Sequence, residues 1–275
     1  MIQMKETFWA FDPKGAHSKY SPSSYSRWKA CPASIKMSEG IVIEAKHYNI
    51  RGTLCHDIAE ALVRREYLIF PYLPPWQITA MLKVREEEEH DSDEILWVAK
   101  GAIDAVDYFM QFVGEVHYLL LEKKIPILGE KWGSADVCII GSKATVILDH
   151  KFGNAKVTAD SLQLKSYLMG VYANMVNMPP NYRFIAGIYQ PAVSIGYDEW
   201  VYSPEELADG LEILAMDIAE TQRDNLLPNE GNHCFFCPAS QTPDPDRKCP
   251  IIKMKMSDRA GAKLLEAYNN YYEGN

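Results

Sequence analysis

The sequence predicts an α/β protein in which helices flank a mixed central β-sheet. Two short apolar runs meet at Gly141-Ser142, and a Gly-Ser pair between β-branched residues is a reasonable hairpin signal. Apolar runs of strand length also occur on both sides of this hairpin, at 115–129, 182–190 and 194–202. Segments with helical spacing of apolar residues alternate with these strands, at 52–67, 158–177 and 203–225.

The elements before the sheet begin with an arm. Residues 1–19 have little periodicity, which predicts an arm. Ser23 or Ser24 can cap a helix that ends or kinks at the next Cys-Pro pair. Residues 52–67 are amphipathic, and Thr53 is the candidate cap of that helix.

The next part of the chain predicts a helical insertion at 52–112. A proline-rich break at 71–76 is followed by a helical pattern at 77–88 and by a strand or helix near 95–113. Seven acidic residues lie within 86–94, and such a run predicts a solvated loop or helix end rather than a binding site.

Local start and stop signals also predict the elements after the hairpin. A pair of prolines ends the predicted helix at 158–177. Ser203 and Pro204 begin another helix, which carries acidic residues in its first turn. The region 228–250 is rich in loops, and a last helix is expected at 257–272.

Three charged residues at one end of the hairpin suggest chemistry. If the loop has two residues, Asp136 lies opposite Ile147, and Asp149 is its diagonal neighbour at roughly 7–8 Å. Lys151 points to the same face as Asp149. Facing carboxylates are costly inside a fold unless a cation lies between them, and oxygen-rich sites suit Mg²⁺ or Mn²⁺. An ordinary hairpin with a surface salt bridge is the alternative.

The order of the motifs resembles that of the PD-(D/E)XK nuclease superfamily. Asp136 is followed, after a hydrophobic strand, by a D-H-K string from Asp149 to Lys151. Gln163 and Tyr167 come next with Q-x-x-x-Y spacing, which places them on one helical face. This spacing resembles a motif of the RecB-like branch of the superfamily.

An upstream histidine strengthens the resemblance. His56 closes a G-T-x-x-H string that resembles the metal-binding histidine motif of the same branch. The resemblance covers roughly residues 20–250 and implies a restriction-endonuclease-like core. A hydrogen-bonded helical histidine is the alternative for His56. Glu60, one turn later, either supports the ligands or only supports the helix.

The resemblance also implies residue roles. The metal ligands would be His56, Asp136, Asp149 and the backbone carbonyl of His150. Lys151 would assist the attacking water, while Gln163 and Tyr167 would position the DNA strand or orient Lys151; a polar pair on a helix surface is the alternative. By strand alternation the His150 side chain faces away from Asp149 and is structural. Two further acids are expected to be exposed rather than near the metal, namely Glu122 and Glu130.

Six cysteines in a chain that we expect to be cytoplasmic do not predict disulfides. Cys234 and Cys237 form a C-x-x-C pair, Cys249 follows in the same loop-rich region, and two phenylalanines within the pair could shield it. The fourth candidate ligand is Cys31, about 200 residues earlier. Cys55 and the remaining cysteine, Cys138, fit a core better.

The cysteine pattern resembles the iron–sulfur subset of RecB-like nucleases. In that subset one N-terminal and three C-terminal cysteines hold a four-iron four-sulfur cluster, and the S-S-Y-S-R-W-K-A-C-P string is close to its N-terminal motif. The gap before Cys249 is longer than in that subset. Zinc is the competing ligand, with His233 able to replace one thiolate, and unligated thiols are the third reading. The Cys-cluster region would comprise 20–35 and 228–252.

Net charge and missing motifs argue against several other classes of protein. The net charge of −9 argues against a protein that coats DNA nonspecifically, but it permits a nuclease with a local basic groove. There is no G-x-x-x-x-G-K loop, no apolar run of membrane-spanning length and no apparent signal peptide. We therefore expect a cytoplasmic protein, in the host cytoplasm if it is phage-encoded, without a membrane partner.

The favoured hypothesis is a single nuclease domain over 1–275 that hydrolyses DNA with Mg²⁺ or Mn²⁺. An exonuclease that acts on DNA ends or single strands in recombination, replication or repair fits the resemblance, which also suggests a phage setting and a recombination or replication protein as partner. A non-catalytic module that binds nucleic acid or protein is the alternative. A zinc-stapled structural subunit is a weaker one.

Overall fold

A computed structural model describes residues 2–15, 18–43, 47–67, 92–193 and 196–259. The chain divides into two compact units. The first comprises residues 1–23 and 45–214, and the second comprises residues 24–44 and 215–275.

A five-stranded sheet forms the centre of the first unit, with the strand order β2-β3-β4-β6-β7. Strands β4 and β6 are parallel, and the other neighbours are antiparallel, so the sheet is mixed as the sequence predicts. Its strands are β2 (Val116–Leu128), β3 (Lys131–Gly141), β4 (Ala144–His150), β6 (Arg183–Tyr189) and β7 (Tyr197–Tyr202).

Helices cover both faces of this sheet. On one face, α4 (His47–Tyr67) and α5 (Ser92–Val113) bury apolar side chains against alternate residues of β3 and β4, such as Val137 and Leu148. Helix α6 (Leu162–Asn174) contacts β2, β4 and β6. The residues of β3 and β4 that alternate with Val137 and Leu148 point to the face opposite α4 and α5. The predicted mixed α/β architecture is therefore confirmed.

Several element boundaries differ from those predicted. Thr53 is not a cap, because α4 already begins at His47. Residues 92–113 are helical throughout, which resolves the strand-or-helix alternative. The proline-rich break and most of the acidic run lie outside the described residues, since 68–91 are not described.

The predicted N-terminal arm contains two short regular elements at residues 3–10. Strand β1 (Gln3–Met4) pairs with β5 (Met175–Asn177), and α1 (Glu6–Ala10) buries Phe8 completely. Strand β5 also shortens the predicted 158–177 helix, because α6 begins at Leu162 after its cap Ser161 and ends where β5 starts.

The second unit consists of short helices and loops. Helix α2 (Tyr25–Ala30) begins after Ser24 and ends before Cys31, as predicted. The other helical segments are α3 (Ser34–Met37), the end of α7 (Pro204–Thr221), a 3₁₀ turn (Asn232–Phe236), α8 (Pro238–Gln241) and α9 (residues 250–259). Tyr25 stacks on Trp28 at 4.2 Å and donates a hydrogen bond to Asp217, which ties α2 to α7 within this unit. The predicted helix at 257–272 falls largely outside the described residues.

Candidate metal centre on the sheet

The register of the β3–β4 hairpin brings two aspartates side by side. Val137 pairs with Leu148, so the next pair along the ladder is Asp136 and Asp149. The expected register, with Asp136 opposite Ile147, was wrong by two residues. Directly opposite residues in an antiparallel pair have Cβ atoms about 4.5–5.5 Å apart, which is closer than the predicted diagonal.

A longer hairpin connection explains the change in register. Ile140 pairs with Thr145, so four residues rather than two link the last paired positions. The amide of Ser142 donates to the carbonyl of Glu115, and the amide of Lys143 donates to that of Val113. The segment between α5 and β2 thus fixes the loop.

A third carboxylate, that of Glu122 on β2, lies in line with Asp136 and Asp149 across the sheet. Glu122 lies between Leu121, paired with Val137, and Lys123, paired with Ala135, which places it at the level of Asp136. Its φ of 48° lies in the left-handed region, which is unfavourable for a non-glycine residue, and its carboxylate accepts a hydrogen bond from Ser134 Oγ at 3.0 Å. Desolvation and the charge of Asp136 raise the pKa of Glu122 to about 7.

Lys151 and Gln163 bind the Asp149 carboxylate from two sides. Lys151 Nζ lies 2.7 Å from Asp149 Oδ2, and Gln163 Nε2 donates to Asp149 Oδ1 at 2.9 Å. Lys151 Nζ also donates to Gln163 Oε1 at 3.4 Å. Tyr167, one helical turn after Gln163, donates its hydroxyl to the carbonyl of Ser134. The four side chains proposed from the D-x-K and Q-x-x-x-Y motifs therefore meet at one place.

His56 approaches the same point from α4. Its Nδ1 lies 3.4 Å from Asp136 Oδ2, and that oxygen also accepts the amide of His150 at 2.7 Å. His150 lies on the face that α4 and α5 cover, as alternation predicts, since Leu148 belongs to that core. One ligand atom from each of His56, Asp136 and His150 lies within 4.8 Å of the others. The His150 imidazole is therefore part of the cluster, which the sequence did not predict.

Burial and charge separate the two aspartates. Despite burial, the hydrogen bond and charge of His56 hold the pKa of Asp136 at about 2. Burial raises the pKa of Asp149 to about 6, because the nearby Lys151 offsets only part of it and the charge of Asp136 adds to it. Burial opposes the charged form of Lys151, but Asp149 raises the pKa of this ammonium above its usual range.

The two imidazoles shift in opposite directions. Although burial works against the charged form, Asp136 raises the pKa of His56 above its ordinary value. For His150 burial prevails, and it lowers the pKa to about 4. His150 is consequently a neutral imidazole near pH 7, which is the form that binds metals.

The cluster opens into a cleft of about 580 Å³. Hydroxyl groups from the N-terminal segment line one side of it, and Trp132 and Tyr167 line another. Glu60 also reaches the cleft, where Arg64 binds its carboxylate at 2.6 Å. Glu122 and Glu130 are both exposed, as predicted, but Glu122 also lines the cleft, whereas Glu130 does not.

The side chains fit a divalent cation. Two imidazoles and a carboxylate converge, and Asp149 is buried beside them. His150 Nε2 is a buried nitrogen that has no hydrogen-bond partner among the described residues. A ring nitrogen and carboxylate oxygens are ordinary metal ligands, so this cluster could bind a metal.

The second unit holds the four cysteines of the predicted cluster. Cys31 Sγ accepts the amide of Asn229 at 3.3 Å; burial raises the pKa of the Cys31 thiol, as do Cys237 and Cys234 nearby. Cys237 and Cys249 are buried in one small apolar cluster. No three of these sulfurs lie within 4.8 Å of one another in the described ranges, so a shared ion is not shown.

The neighbours of the cysteine group differ in part from expectation. The phenylalanines between Cys234 and Cys237 are 73% and 71% exposed, so they do not shield the pair. A ring nitrogen of His233 lies 3.1 Å from the carbonyl of Asn229. Cys55 and Cys138 are completely buried in the first unit, in keeping with a core role.

Comparisons with known proteins give a family and a distant structural likeness. A family model described as "Protein of unknown function (DUF2800)" matches residues 17–268. A "Putative exonuclease" from Eubacterium rectale is similar at 13% identity and a TM-score of 0.46, over 82% of this chain and 88% of that one. A protein called SSO0001 is similar at 14% identity and a TM-score of 0.30, over 72% of this chain and 98% of that one. Within the described part, no helix is both long and apolar enough to cross a membrane.

Proposed function

Since this chain belongs to the family described as "Protein of unknown function (DUF2800)", we propose from its site that it is a metal-dependent deoxyribonuclease of the RecB-like type, an exonuclease that hydrolyses phosphodiester bonds in DNA. One observation carries the proposal. Asp136 and Asp149 lie side by side on neighbouring strands, and Lys151 and His56 reach the same pair at the floor of an open cleft.

The metal ligands would be His56, Asp136, Asp149 and the backbone carbonyl of His150. A divalent cation there would supply Lewis-acid polarisation of a phosphodiester oxygen and would acidify a water molecule. Asp136 is ionised and ready to bind, because His56 holds its pKa low. Because burial raises the pKa of Asp149 to about 6, a minor fraction of this carboxyl group still holds its proton at neutral pH.

Lys151 is the positive group that would act on the substrate. Its side chain is 26% exposed, so the ammonium lies at the boundary between the buried carboxylates and the cleft. Asp149 and Gln163 hold it in place and keep it charged. From there it can orient the attacking water or stabilise the developing negative charge on phosphate.

The cleft offers features that suit a nucleic-acid strand. Three serine hydroxyls, from Ser18, Ser21 and Ser23, line it and are suited to bind phosphate oxygens. Trp132 also lines it, with most of its ring buried. Lys151 supplies positive charge among the lining residues, which also include several carboxylates.

A four-iron four-sulfur cluster on Cys31, Cys234, Cys237 and Cys249 is the second part of the proposal, with zinc as the alternative. All four thiols belong to one unit, and Cys237 and Cys249 share an apolar cluster. Cys31 lies near enough to Cys237 and Cys234 for their charges to raise its pKa. The cluster would join segments about 200 residues apart in sequence, so its binding energy would become folding energy.

A cleavage assay tests the proposed activity. Single- and double-stranded DNA would be incubated with the protein and either Mg²⁺ or Mn²⁺, with the wild type, Asp149→Asn and Lys151→Ala compared. Asp209→Asn and Lys143→Ala are matched controls, because both residues are exposed and lie outside the cleft. Loss of products in the first two variants alone is expected, and equal cleavage by all five proteins would refute the assignment.

A non-catalytic binding module is the second candidate function. Glu122, Asp136 and Asp149 would then be remnants of a site, and DNA or protein binding would not depend on Mg²⁺ or Mn²⁺. The same assay, run with a binding readout beside cleavage, separates the two functions.

A further inference from the structure

One buried imidazole at this centre has no settled role in the proposed chemistry. The family resemblance gives His150 only a backbone carbonyl as ligand, yet its side chain is 2% exposed and its Nε2 has no hydrogen-bond partner among the described residues. A buried polar atom without a partner costs about 1–3 kcal/mol. A hydrogen-bonding group or a metal ion that binds His150 Nε2 would therefore stabilise the site.

The surroundings of the ring point to a shared cation. A ligand nitrogen of His150 lies within 4.8 Å of ligand atoms of His56 and Asp136. Ligands of one ion, at bond lengths of about 2.0–2.2 Å, lie no more than about 4.4 Å apart, so only small shifts are needed. Asp136 Oδ2 also accepts the His150 amide, which anchors this end of the strand beside the carboxylate.

Aromatic packing holds both imidazoles in place. Phe152 contacts His56 edge-on, with ring centroids 4.9 Å apart, and lies 6.1 Å from the His150 ring. Tyr189 closes the other side of His150 at 6.0 Å. Because these neighbours restrict both rings, the two nitrogens are preorganised beside Asp136 rather than brought together by the cation.

We infer that His150 is a second imidazole ligand of the metal centre, and that the centre therefore takes a divalent first-row transition cation in preference to Mg²⁺. The inference rests on the metal site of the proposed function and specifies its cofactor. Mg²⁺ demands near-octahedral oxygen coordination and keeps much of its water, whereas imidazole suits Zn²⁺, Fe²⁺ and Ni²⁺ and binds Mn²⁺ more readily than Mg²⁺. Two nitrogens and one carboxylate oxygen thus favour a different ion from an all-oxygen site.

Manganese binding without DNA tests the inference directly. Mn²⁺ would be titrated into protein freed of divalent cations, with free Mn²⁺ measured by electron paramagnetic resonance. Pulsed resonance would then count the imidazole nitrogens coupled to bound Mn²⁺. Two nitrogens are expected in the wild type and one in His150→Phe, which keeps an aromatic ring against Phe152 and Tyr189. The variant should bind Mn²⁺ at least about tenfold more weakly.

Competition with Mg²⁺ measures the selectivity. The Mg²⁺ concentration that displaces half of the Mn²⁺ should fall at least about tenfold in His150→Phe, because the variant loses the nitrogen that Mg²⁺ cannot use. His56→Phe should also leave one coupled nitrogen. His117→Phe is the matched control, since His117 accepts the amide of Ile2 and does not line the cleft, and it should keep two.

Each result bears on a different claim. One coupled nitrogen in the wild type, or unchanged selectivity in His150→Phe, would overturn the inference but leave the proposed nuclease site in place. Absence of Mn²⁺ binding by the wild type would overturn the inference, and absence of cleavage with both Mg²⁺ and Mn²⁺ would overturn the proposed function as well. If His150→Phe fails to fold by circular dichroism, the wild-type nitrogen count, together with that of His56→Phe, still decides the matter.

Discussion

The two regions that carry candidate ligands are built in contrasting ways. The sheet site takes Asp136 and Asp149 from paired strands, so backbone hydrogen bonds set their spacing. The cysteine group of the second unit takes its thiols from the C-terminus of α2, a 3₁₀ turn and loops. The first arrangement can form without a metal, whereas the second has little regular structure to hold it.

This difference separates two uses of ligand binding. A site on a sheet is preorganised, so a cation there mainly serves chemistry. A group of thiols held by loops gains order from what it binds, so a cluster there mainly serves stability. Four experiments test this division, beginning with the largest expected effect.

Removing one carboxylate should abolish chemistry and spare the fold. Asp149→Asn keeps the shape of the side chain but removes a metal ligand and the partner of Lys151. Loss of Lewis-acid assistance is worth several kcal/mol, which corresponds to about 10²–10⁴-fold in rate. Single-turnover cleavage rates and thermal melting of the same samples measure the two effects. A melting temperature that collapses together with activity would break the comparison.

Removing one thiol of the cysteine group should destabilise the fold. Cys31→Ser is expected to eliminate visible absorbance from an anaerobically purified protein and to lower its melting temperature by about 2–4 °C for each kcal/mol of lost stability. Cys138→Ala is the control, because Cys138 lies buried in the first unit and its loss should leave the absorbance intact. If the wild type is colourless and contains zinc, zinc takes the place of the iron–sulfur cluster, and the contrast between a catalytic and a stabilising site still holds. A wild type without either metal would contradict it.

Acid should weaken metal binding at the sheet site alone. Burial raises the pKa of Asp149 to about 6, and Asp136, against the effect of burial, raises the pKa of His56 above its ordinary value, so both groups take up protons as the pH falls. Mn²⁺ must displace these protons, so affinity should rise with pH through this range, by up to about 100-fold per unit where two protons are released. Calorimetry in buffers of different ionisation enthalpy counts the protons. Pre-formed cluster absorbance should stay constant between about pH 6 and 8.

A small overpacking change should show how rigid the sheet site is. A Cβ on Gly133 would lie 2.3 Å from Pro22 Cδ and 2.9 Å from Tyr167 Cε1. Gly133→Ala should therefore cost about 1–3 kcal/mol and shift the tyrosine that lines the cleft. Gly52→Ala, in the interior of α4 with nothing within 4 Å, should instead stabilise by up to about 1 kcal/mol. Chemical denaturation compares the two, and equal stability would show that the wall of the cleft yields easily.

The sequence could supply the side chains of the site, but not their register. Period-two alternation was enough to place Asp136, Asp149 and Lys151 together as a prediction. The register depended on amides in the hairpin loop that bond to Val113 and Glu115, and no local signal in the Gly-Ser pair reveals that contact. The same tertiary contact decides whether the two acids are diagonal or directly opposite.

The role of His150 could not be predicted for a related reason. Alternation assigns its side chain to the face away from Asp149, and the structure agrees. At the end of β4, however, His56 of α4 lies 3.4 Å from Asp136, so ligand atoms of His150, His56 and Asp136 come within 4.8 Å of one another. The cysteine spacing, in contrast, was visible in the sequence, although it does not distinguish iron–sulfur from zinc.

The pairing of β1 with β5 has a practical consequence for anyone who handles the protein. The amide of Lys5 donates to the carbonyl of Asn174, and Lys5 Nζ binds that of Ala173, so the amino-terminal strand is clasped to the end of the helix that presents Gln163 and Tyr167. An affinity tag or a truncation next to β1 would disturb this contact and, through it, the end of α6.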